Sequence, residues 1–306
     1  GQAFAPMDKA RRMASGGFMG AMYGYLCSMH PSIFRRQCRQ AMLDAGIAAT
    51  EADALWAWLV AERLGMSRIQ WELLDDLSAD AMSGLQKDVD RLVNHEPLAH
   101  ILGYVDFDGL QLHVGPEALI PRPETVFLVD QVVDKLPQGG RVLDVGTGTG
   151  CIALAVKSRR SDAQVTGLDL SPDALQWAER NGSSLSLDVQ WVLGDLSEAP
   201  PKGQWDMIVS NPPYIPMQER DNLDASVREF EPAMALHSPA SDDIYFFRRL
   251  IQWAETLLSS GSWLLMEGHH ALAATVVNLL IEQGWSEVQL CKDDCGKPRM
   301  ILAKRP

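Results

Sequence analysis

Acidic residues are almost absent from the first 43 positions of this chain, where Asp8 is the only one. Arginine and lysine are well represented there, at Lys9, Arg11, Arg12, Arg35, Arg36 and Arg39. An acid-poor, arginine-rich start is typical of an organelle transit peptide, and a leader fused to a bacterial chain explains it as well. Residues 1–30 are therefore predicted to be a leader of either origin, and the protein is expected in the cytoplasm, or in the mitochondrion if the leader is a transit peptide.

Cysteines and long apolar runs are also scarce. Five cysteines in 306 residues do not make a disulfide scaffold, which favours a reducing compartment. Cys291 and Cys295 are the only cysteines close together in the sequence. A metal would need further ligands, and the spacing of His269 and His270 does not match that of a metal site with these cysteines, so no metal site is predicted. No apolar run approaches the roughly 20 residues of a membrane span, so no membrane partner is expected.

Over the whole chain, basic residues are outnumbered by acidic ones. The chain has 27 Lys and Arg against 40 Asp and Glu, for a formal net charge of −13. Such a surface repels nucleic acid over most of its area, although a local basic groove could survive, so no direct nucleic-acid partner is expected. A hydrophobic content of 46% suffices for a sizeable core, and the length favours two domains. We expect a monomer.

The chain divides by pattern into three parts after the leader. Residues 31–95 have apolar positions at helical spacing, such as Trp56, Leu59 and Val60, with Leu55 and Leu64 on the same face, and predict a helical bundle. Residues 96–120 contain an alternating run around Asp108-Gly109 that predicts a β-hairpin link. Residues 121–306 alternate strand-like and helix-like runs, ending in strands near 262–266 and 299–303, the last as an antiparallel edge pair.

A glycine-rich turn lies between an apolar run, 141–145, and a helix-like segment, 151–157. Strand, glycine turn and helix is the context in which such a motif binds a nucleotide-like ligand. The dinucleotide fingerprint needs glycine at position 151, where this chain has Cys151, so pyrophosphate binding is disfavoured. The alternative is a turn that only packs helix on strand.

Acids end several of the predicted strands. Asp169 ends the run that begins at Gln164, and Ser171 with Pro172 resembles a helix start. A carboxylate there can accept both hydroxyls of a ribose. Asp195 ends a later run. With Asp144, these acids are predicted to line one crevice of a parallel sheet, although solvation or helix capping explains either Asp169 or Asp195 alone.

The tetrapeptide 211–214 reads Asn-Pro-Pro-Tyr and follows a buried strand-like run. An amide or ring-conjugated NH2 is a poor nucleophile because its lone pair is delocalised, so it must be held in place. The Asn211 side-chain oxygen and the Pro212 carbonyl can each accept one of its N–H groups, while Tyr214 supplies an apolar face. Together with the glycine turn, this predicts methylation of an amino or amide nitrogen; a Pro-Pro turn of purely structural use is the alternative.

Several segments together resemble the HemK/PrmC family of methyltransferases, from about residue 40 to the C-terminus. The matching segments are Glu96–Gly103, Leu119–Thr125, Asp144–Gly150, Asn211–Ile215, Phe230–Pro232 and Gly296–Arg299. The resemblance implies the α/β fold of class I S-adenosylmethionine methyltransferases, a Rossmann-like and mostly parallel seven-stranded sheet, with a small N-terminal helical domain. It also implies methylation of the glutamine in the Gly-Gly-Gln motif of class-1 peptide chain release factors, with S-adenosyl-L-homocysteine as product.

The resemblance also implies roles for individual residues. Those expected to bind the cofactor are Gly146, Thr147, Gly148, Thr149 and Gly150 at its methionine part, Asp169 at its ribose, Asp195 and Leu196 at its adenine, and Asn211. Those expected to bind the substrate are Asn211, Pro212, Pro213 and Tyr214, of which Asn211, Pro212 and Tyr214 are the catalytic candidates. Arg122 and Glu124 would close the connecting segment over the cofactor; alternatively they form a solvated ion pair on a proline-stiffened linker. The helical domain is expected to grip the release factor.

Three departures from the family pattern affect the substrate more than the reaction. Val126 stands where many members have glutamate, residues 235–243 lack a common glycine pair, and residues 268–270 lack a common glutamine. Two other classes therefore stay open. One is an amino methyltransferase for adenine or cytosine in nucleic acid, and the other is a protein that binds the cofactor without catalysis.

Overall fold

A computed structural model describes residues 29–239, 241–293 and 296–306. The chain forms two compact units with the boundary between Ile101 and Leu102. Apart from residues 29 and 30, the predicted leader lies outside the described residues, as does Cys295.

The first unit is helical. Its described helices are α1 (Pro31–Asp44), α2 (Ala49–Leu64), α3 (Arg68–Glu72) and α4 (Ala79–Val93), and α5 (Leu98–Leu102) reaches the boundary. Side chains and a glycine define where these helices begin and end. The Ser67 hydroxyl accepts from the Gln70 N–H, and Gln70 Oε1 accepts in return from the Ser67 N–H, closing a capping box at the start of α3. Gly65, with φ of 65°, ends α2 in the left-handed conformation.

Aromatic side chains form the centre of this helical core. The Trp56 ring meets Phe34 edge-on at 5.9 Å and Trp71 at 5.1 Å between centroids. Leu59 and Val60, on the same helix as Trp56, are fully buried beside it. The apolar face predicted for this segment is therefore confirmed.

The second unit contains every described strand. Its strands are β1 (Tyr104–Phe107), β2 (Leu110–His113), β3 (Arg141–Val145), β4 (Gln164–Asp169), β5 (Gln190–Leu193), β6 (Trp205–Ser210), β7 (Leu258–Glu267), β8 (Ser286–Lys292) and β9 (Pro298–Lys304). Its helices are α6 (Val126–Lys135), α7 (Cys151–Arg159), α8 (Pro172–Leu185), α9 (Ala225–Phe230), α10 (Ala233–Leu236), α11 (Tyr245–Leu257) and α12 (Ala273–Glu282), with 3-10 turns at Pro123–Thr125 and Met217–Asn222.

The first two strands form the hairpin that the sequence predicts. They pair antiparallel, and the two turn residues Asp108 and Gly109 both have positive φ, 49° and 76°. Two left-handed residues in a two-residue loop define a type I′ turn, whose twist matches that of the strands it joins. The Asp-Gly signal therefore located this turn correctly.

The remaining strands form one sheet in the order β5-β4-β3-β6-β7-β9-β8. All neighbours are parallel except β9, which runs antiparallel to both β7 and β8. The predicted antiparallel edge pair is confirmed, because β9 pairs antiparallel with β8, which forms the edge of the sheet. On its other side β9 pairs with β7. The strand order reverses between β3 and β6, which places a crevice beyond the carboxyl ends of these strands.

Both faces of the sheet are covered. Along β3, Leu143 and Val145 belong to one buried apolar cluster and Val142 to another, as expected for side chains that alternate across a strand. A parallel sheet packed on both faces is the architecture predicted from the alternating runs.

Gly167 and Gly150 make room for the ring of Trp191 on β5, and Gly182 lies where an added Cβ would make an ordinary contact with it. A Cβ atom added at Gly167 would lie 2.5 Å from this ring, one at Gly150 would lie 2.9 Å away, and one at Gly182 would lie 3.5 Å away. Gly167 is the register partner of Trp191 on β4, so the indole lies directly over it. The ring thereby joins the glycine turn, the sheet and α8.

We expect Gly167→Ala to lower the free energy of unfolding by about 1–3 kcal/mol, because the added methyl overpacks the space below Trp191. Thermal or denaturant unfolding measures the change. Gly84→Ala is the control for the same exchange, since Gly84 is exposed on α4 with nothing within 4 Å of an added Cβ. Equal loss of stability in both variants would contradict the packing argument.

Candidate active site

A pocket opens at the carboxyl ends of β3, β4 and β6, at the reversal of strand order. Its lining residues include Gly146, Thr147, Gly148, Thr149, Asp169, Leu170, Asp195, Leu196, Asn211, Pro212, Pro213, Arg122, Thr125, Met234 and Phe246. The Ser210 hydroxyl donates to the Val145 carbonyl at 2.6 Å and fixes the end of β6 to the end of β3. The predicted glycine turn and the Asn-Pro-Pro segment therefore face the same space.

The glycine turn leaves its backbone open to this pocket. Gly146, Gly148 and Gly150 have φ of 72°, 54° and 83°, and a Cβ at Gly146 or Gly148 would meet nothing within 4 Å. The N–H of Gly146 donates to the Leu168 carbonyl and that of Gly148 to the Asp169 carboxylate, both at 2.8 Å. These amides are already bonded within the protein. The turn thus offers close approach rather than the free donors that a pyrophosphate requires.

Asp144 lies behind the turn and not in the pocket. Its side chain is fully buried, and its Oδ2 accepts from the Thr147 hydroxyl at 2.6 Å and from the Ala153 N–H at 3.2 Å. The prediction that Asp144 lines the crevice was wrong, because the side chains of a strand alternate between faces and this one points away from the opening. Asp144 instead holds the turn to the start of α7.

Burial raises the pKa of Asp144 to about 7. A raised folded-state pKa means that the folded protein binds more protons than the unfolded chain, so the stability that the protonated group contributes is lost as pH rises to about 7. Between pH 5 and 7 we expect the unfolding free energy of the wild type to fall by about 2 kcal/mol relative to Asp144→Asn, with the slope decreasing from about 1.4 kcal/mol per pH unit as the pKa is approached. Denaturant unfolding across this range tests the expectation, which parallel curves for the two proteins would contradict.

Asp169 ends β4 and faces the pocket. Its Oδ2 accepts from Gly148 and its Oδ1 accepts from the Ser171 N–H at 2.9 Å, so the carboxylate is fixed by backbone groups. Burial raises its pKa, and the backbone donors oppose that shift. Ser171 also caps α8 by accepting from the Ala174 N–H at 3.1 Å, which confirms the predicted strand end and helix start.

Asp195 and Leu196 lie in the loop after β5, which ends at Leu193. Asp195 Oδ1 accepts from the Ser197 N–H at 2.7 Å, and the Leu196 carbonyl accepts from Arg249 Nε at 3.0 Å. Both residues line the pocket, where Phe246 adds a further apolar surface. This end of the pocket therefore combines one carboxylate with apolar walls.

Asn211 and Pro212 present two oxygen atoms that no donor in the described part of the chain occupies. The Asn211 Nδ2 donates to Thr125 Oγ1 at 3.2 Å, which leaves its Oδ1 available. The carbonyl that is already used in this segment is that of Pro213, which accepts from the Ser238 hydroxyl at 3.1 Å. The arrangement can accept two N–H groups from one ligand.

Tyr214 lies outside the pocket lining. Its hydroxyl donates to Glu267 Oε1 at 2.9 Å, while Glu267 Oε2 accepts from the Thr125 hydroxyl at 2.7 Å. Burial raises the pKa of Tyr214 and also that of the fully buried Glu267. The sequence predicted an apolar role for the Tyr214 ring, and the structure adds this bond to a buried carboxylate.

Arg122 lines the pocket, but Glu124 does not. The Arg122 guanidinium pairs with Glu231, whose side chain is completely buried and whose other oxygen accepts from the Ile120 N–H at 3.1 Å. The alternative of a solvated Arg122–Glu124 pair is therefore wrong. The ion pair instead fixes the backbone of residues 120–122 at the pocket.

Three carboxylate and hydroxyl partners were not singled out from the sequence. Thr125 and Glu231 lie inside the matching segments Leu119–Thr125 and Phe230–Pro232. In the first segment only Arg122 and Glu124 were assigned roles, and in the second no residue was. Glu267 is the last residue of β7, and its position as a strand-end acid was the signal that could have identified it.

The part of the chain that the structure describes holds neither a metal-ligand cluster nor a membrane span. Among these residues, no group of three or more His, Cys, Asp or Glu side chains is arranged to hold a metal ion. In the same part of the chain, no helix is both long enough and apolar enough to cross a membrane.

The fold and the pocket define a methyltransferase of class I. The family model for the methyltransferase small domain matches residues 123–234, and the family model for the PrmC N-terminal domain matches residues 34–103. A solved structure of the hMettl16 catalytic domain, in complex with an RNA hairpin, is 20% identical with a TM-score of 0.52, over 64% of this chain and 75% of that one. At this identity the likeness concerns the fold.

Curated relatives then identify the family. A protein of Bacteroides thetaiotaomicron is 35% identical over 259 residues, which is 83% of this chain and 93% of the relative. A protein of Neisseria gonorrhoeae is 41% identical over 216 residues, covering 70% and 78% respectively. Both are named release factor glutamine methyltransferase, and the chain belongs to their family, the HemK/PrmC family.

Proposed function

We propose that the protein transfers a methyl group from S-adenosyl-L-methionine to the side-chain amide nitrogen of the glutamine in the Gly-Gly-Gln motif of class-1 peptide chain release factors. Membership of the HemK/PrmC family and the names of its relatives support the reaction and the substrate. The product of the cofactor is S-adenosyl-L-homocysteine.

The observation that carries this proposal is the pair of acceptors on Asn211 and Pro212. A glutamine carboxamide has two N–H bonds, and one oxygen for each of them fixes the plane of the group. Fixing matters because the delocalised lone pair makes the nitrogen a weak nucleophile, and alignment of reacting groups can contribute roughly 7–11 kcal/mol. Asn211 is partly exposed and lines the pocket, so a side chain entering from solvent can reach it.

The rest of the pocket fits the cofactor. The open backbone of Gly146 to Thr149 admits the methionine part at close range, Asp169 accepts from the ribose hydroxyls, and Asp195 with Leu196 receives the adenine. Gly150 packs against Trp191 outside the pocket lining. The carboxylates suit hydroxyl and amino donors, and the apolar walls suit a ring. When bound, the cofactor would supply an electrophilic methyl group: its bond to sulfur would break with the electron pair left on sulfur, the bond to the amide nitrogen would form, and the nitrogen would release one proton to solvent.

The protein's own residues bind and orient in this proposal. Asn211 and Pro212 hold the amide, Pro213 and Tyr214 complete the segment that carries them, and Arg122 with its partner Glu231 holds residues 120–122 against the pocket. We assign no role in the pocket to Glu124. The helical unit is proposed to contact the release factor, and the enzyme is proposed to act as a cytoplasmic monomer.

Incubation of the protein with methyl-labelled S-adenosylmethionine tests the proposal. Separate reactions contain purified release factor, the same factor with the motif glutamine replaced by alanine, an RNA pool and a DNA pool. We expect label only in the release factor that retains the motif glutamine. Mass spectrometry of its tryptic peptide should locate the methyl group on the glutamine amide. Label in nucleic acid would replace this proposal with a base methyltransferase, and no label in any pool would favour a non-catalytic binding protein.

A further inference from the structure

We infer that Thr125 and Glu267 are positioning residues that keep the amide of Asn211 turned with its oxygen towards the substrate. The inference rests on the proposed function, because it concerns how the same acceptor is oriented. Neither residue touches the substrate in this arrangement. Both act through the side chain of Asn211.

The three side chains form a continuous chain of hydrogen bonds. Asn211 Nδ2 donates to Thr125 Oγ1 at 3.2 Å, and the Thr125 hydroxyl donates to Glu267 Oε2 at 2.7 Å. Thr125 and Glu267 are 1% and 0% exposed, so water does not compete for these groups. They come from the 3-10 turn before α6 and the end of β7, and they meet beside the end of β6.

The carboxylate of Glu267 determines which group donates and which accepts along this series of hydrogen bonds. Both oxygens of Glu267 accept a hydroxyl, one from Thr125 and one from Tyr214, and a group bonded in this way serves only as an acceptor, so the single hydroxyl proton of Thr125 is committed to Glu267. The hydroxyl oxygen can then only accept from its other neighbour. That neighbour must present N–H, which sets Asn211 Nδ2 towards Thr125 and leaves Oδ1 facing the pocket.

The opposite orientation would disable the site. An amide side chain has nearly the same shape after a half-turn about its last bond, so packing alone distinguishes the two states poorly. In the flipped state Asn211 would offer N–H to the N–H of the substrate amide. Two donors would then face each other, and one of the two acceptors proposed for the glutamine would be lost.

A second donor and nearby charges hold Glu267 in its role. The Tyr214 hydroxyl donates to the other carboxylate oxygen at 2.9 Å, so each oxygen of Glu267 receives one proton from the protein. Burial raises the pKa of Glu267, while the hydrogen bonds from Thr125 and Tyr214 lower it. The charge of Glu124 raises this pKa further, and that of Arg299, which lies 3.5 Å from the Tyr214 hydroxyl, lowers it. Tyr214 therefore serves the same carboxylate as Thr125, which links the last residue of the Asn-Pro-Pro-Tyr segment to its first.

Two nearly isosteric variants test the inference. Thr125→Val removes the hydroxyl between Asn211 and Glu267, and Glu267→Gln introduces an N–H that can donate to Thr125 and reverse the chain. For both we expect kcat on a release factor to fall by about tenfold to a hundredfold, as misalignment of a reacting group typically does. The Kd for S-adenosylmethionine should change little, whereas the melting temperature of Thr125→Val should fall, because a buried carboxylate oxygen loses its donor. Thr125→Ser restores the hydroxyl and is expected to recover most of the lost turnover.

The control is Thr256→Val on α11, where an exposed hydroxyl bonds the Gln252 carbonyl away from the pocket. Wild-type kcat in both Thr125→Val and Glu267→Gln would overturn the inference, as would Thr125→Ser that turns over as poorly as Thr125→Val. If one variant fails to fold, the other still decides. An inactive wild type on every release factor would instead overturn the proposed function, so the two failures are distinguishable.

Discussion

Replacing Asn211 by alanine is expected to lower turnover on a release factor by well over tenfold while cofactor binding is retained. The variant removes one of the two oxygens that hold the glutamine amide, and it leaves the glycine turn and Asp169 unchanged. Loss of a single preorganised polar contact at a reacting group typically lowers kcat by about 10²–10³-fold. Steady-state kinetics with purified release factor, together with calorimetric titration of S-adenosylmethionine, separates the two effects.

The matched control for this substitution is Asn278→Ala, which lies at an exposed position of α12. It should leave both turnover and cofactor affinity unchanged. Equal turnover of Asn211→Ala and wild type would falsify the role of Asn211. A parallel loss of cofactor affinity would place Asn211 in the cofactor site rather than at the substrate.

The second large effect is expected for Asp169→Ala, which should weaken S-adenosylmethionine binding by about a hundredfold. Hydrogen bonds to a charged group contribute about 1.5–3 kcal/mol, and about 2.7 kcal/mol corresponds to a hundredfold change in Kd. The variant also releases the N–H groups of Gly148 and Ser171, which Asp169 holds at 2.8 and 2.9 Å. Loss of ribose binding and loosening of the turn therefore act in the same direction.

Calorimetric titration of the cofactor measures this change directly. Asp173→Ala is the control, because Asp173 is an exposed acid in the first turn of α8, four residues along the chain, and does not line the pocket. An Asp169→Ala protein that binds the cofactor with wild-type affinity would remove Asp169 from the ribose site.

The features predicted correctly from the sequence are those encoded locally. The hairpin at Asp108-Gly109 needs only two neighbouring residues that tolerate positive φ. The glycine turn needs a strand before it and a helix after it, and the start of α8 needs Ser171 before Pro172. In each case the physical signal lies within a few residues, so no tertiary contact was required to read it.

The features that were missed depend on contacts between distant parts of the chain. Thr125 and Glu267 are 142 positions apart, and Arg122 and Glu231 are 109 positions apart. Nothing near Arg122 distinguishes Glu231 from the adjacent Glu124 as its partner, because the choice is made by the fold. The pairing of β9 with β7 was not predicted for the same reason: the hydrophobic pattern of a strand predicts its existence but does not select its neighbours.

The glycine turn is already tied down before any ligand arrives. Its amides bond to the end of β4 and to Asp169, so the turn is ordered when the protein folds. The conformational entropy of this segment is therefore lost on folding and not when a nucleoside binds. Binding then requires little further ordering of this loop, which favours affinity for the cofactor.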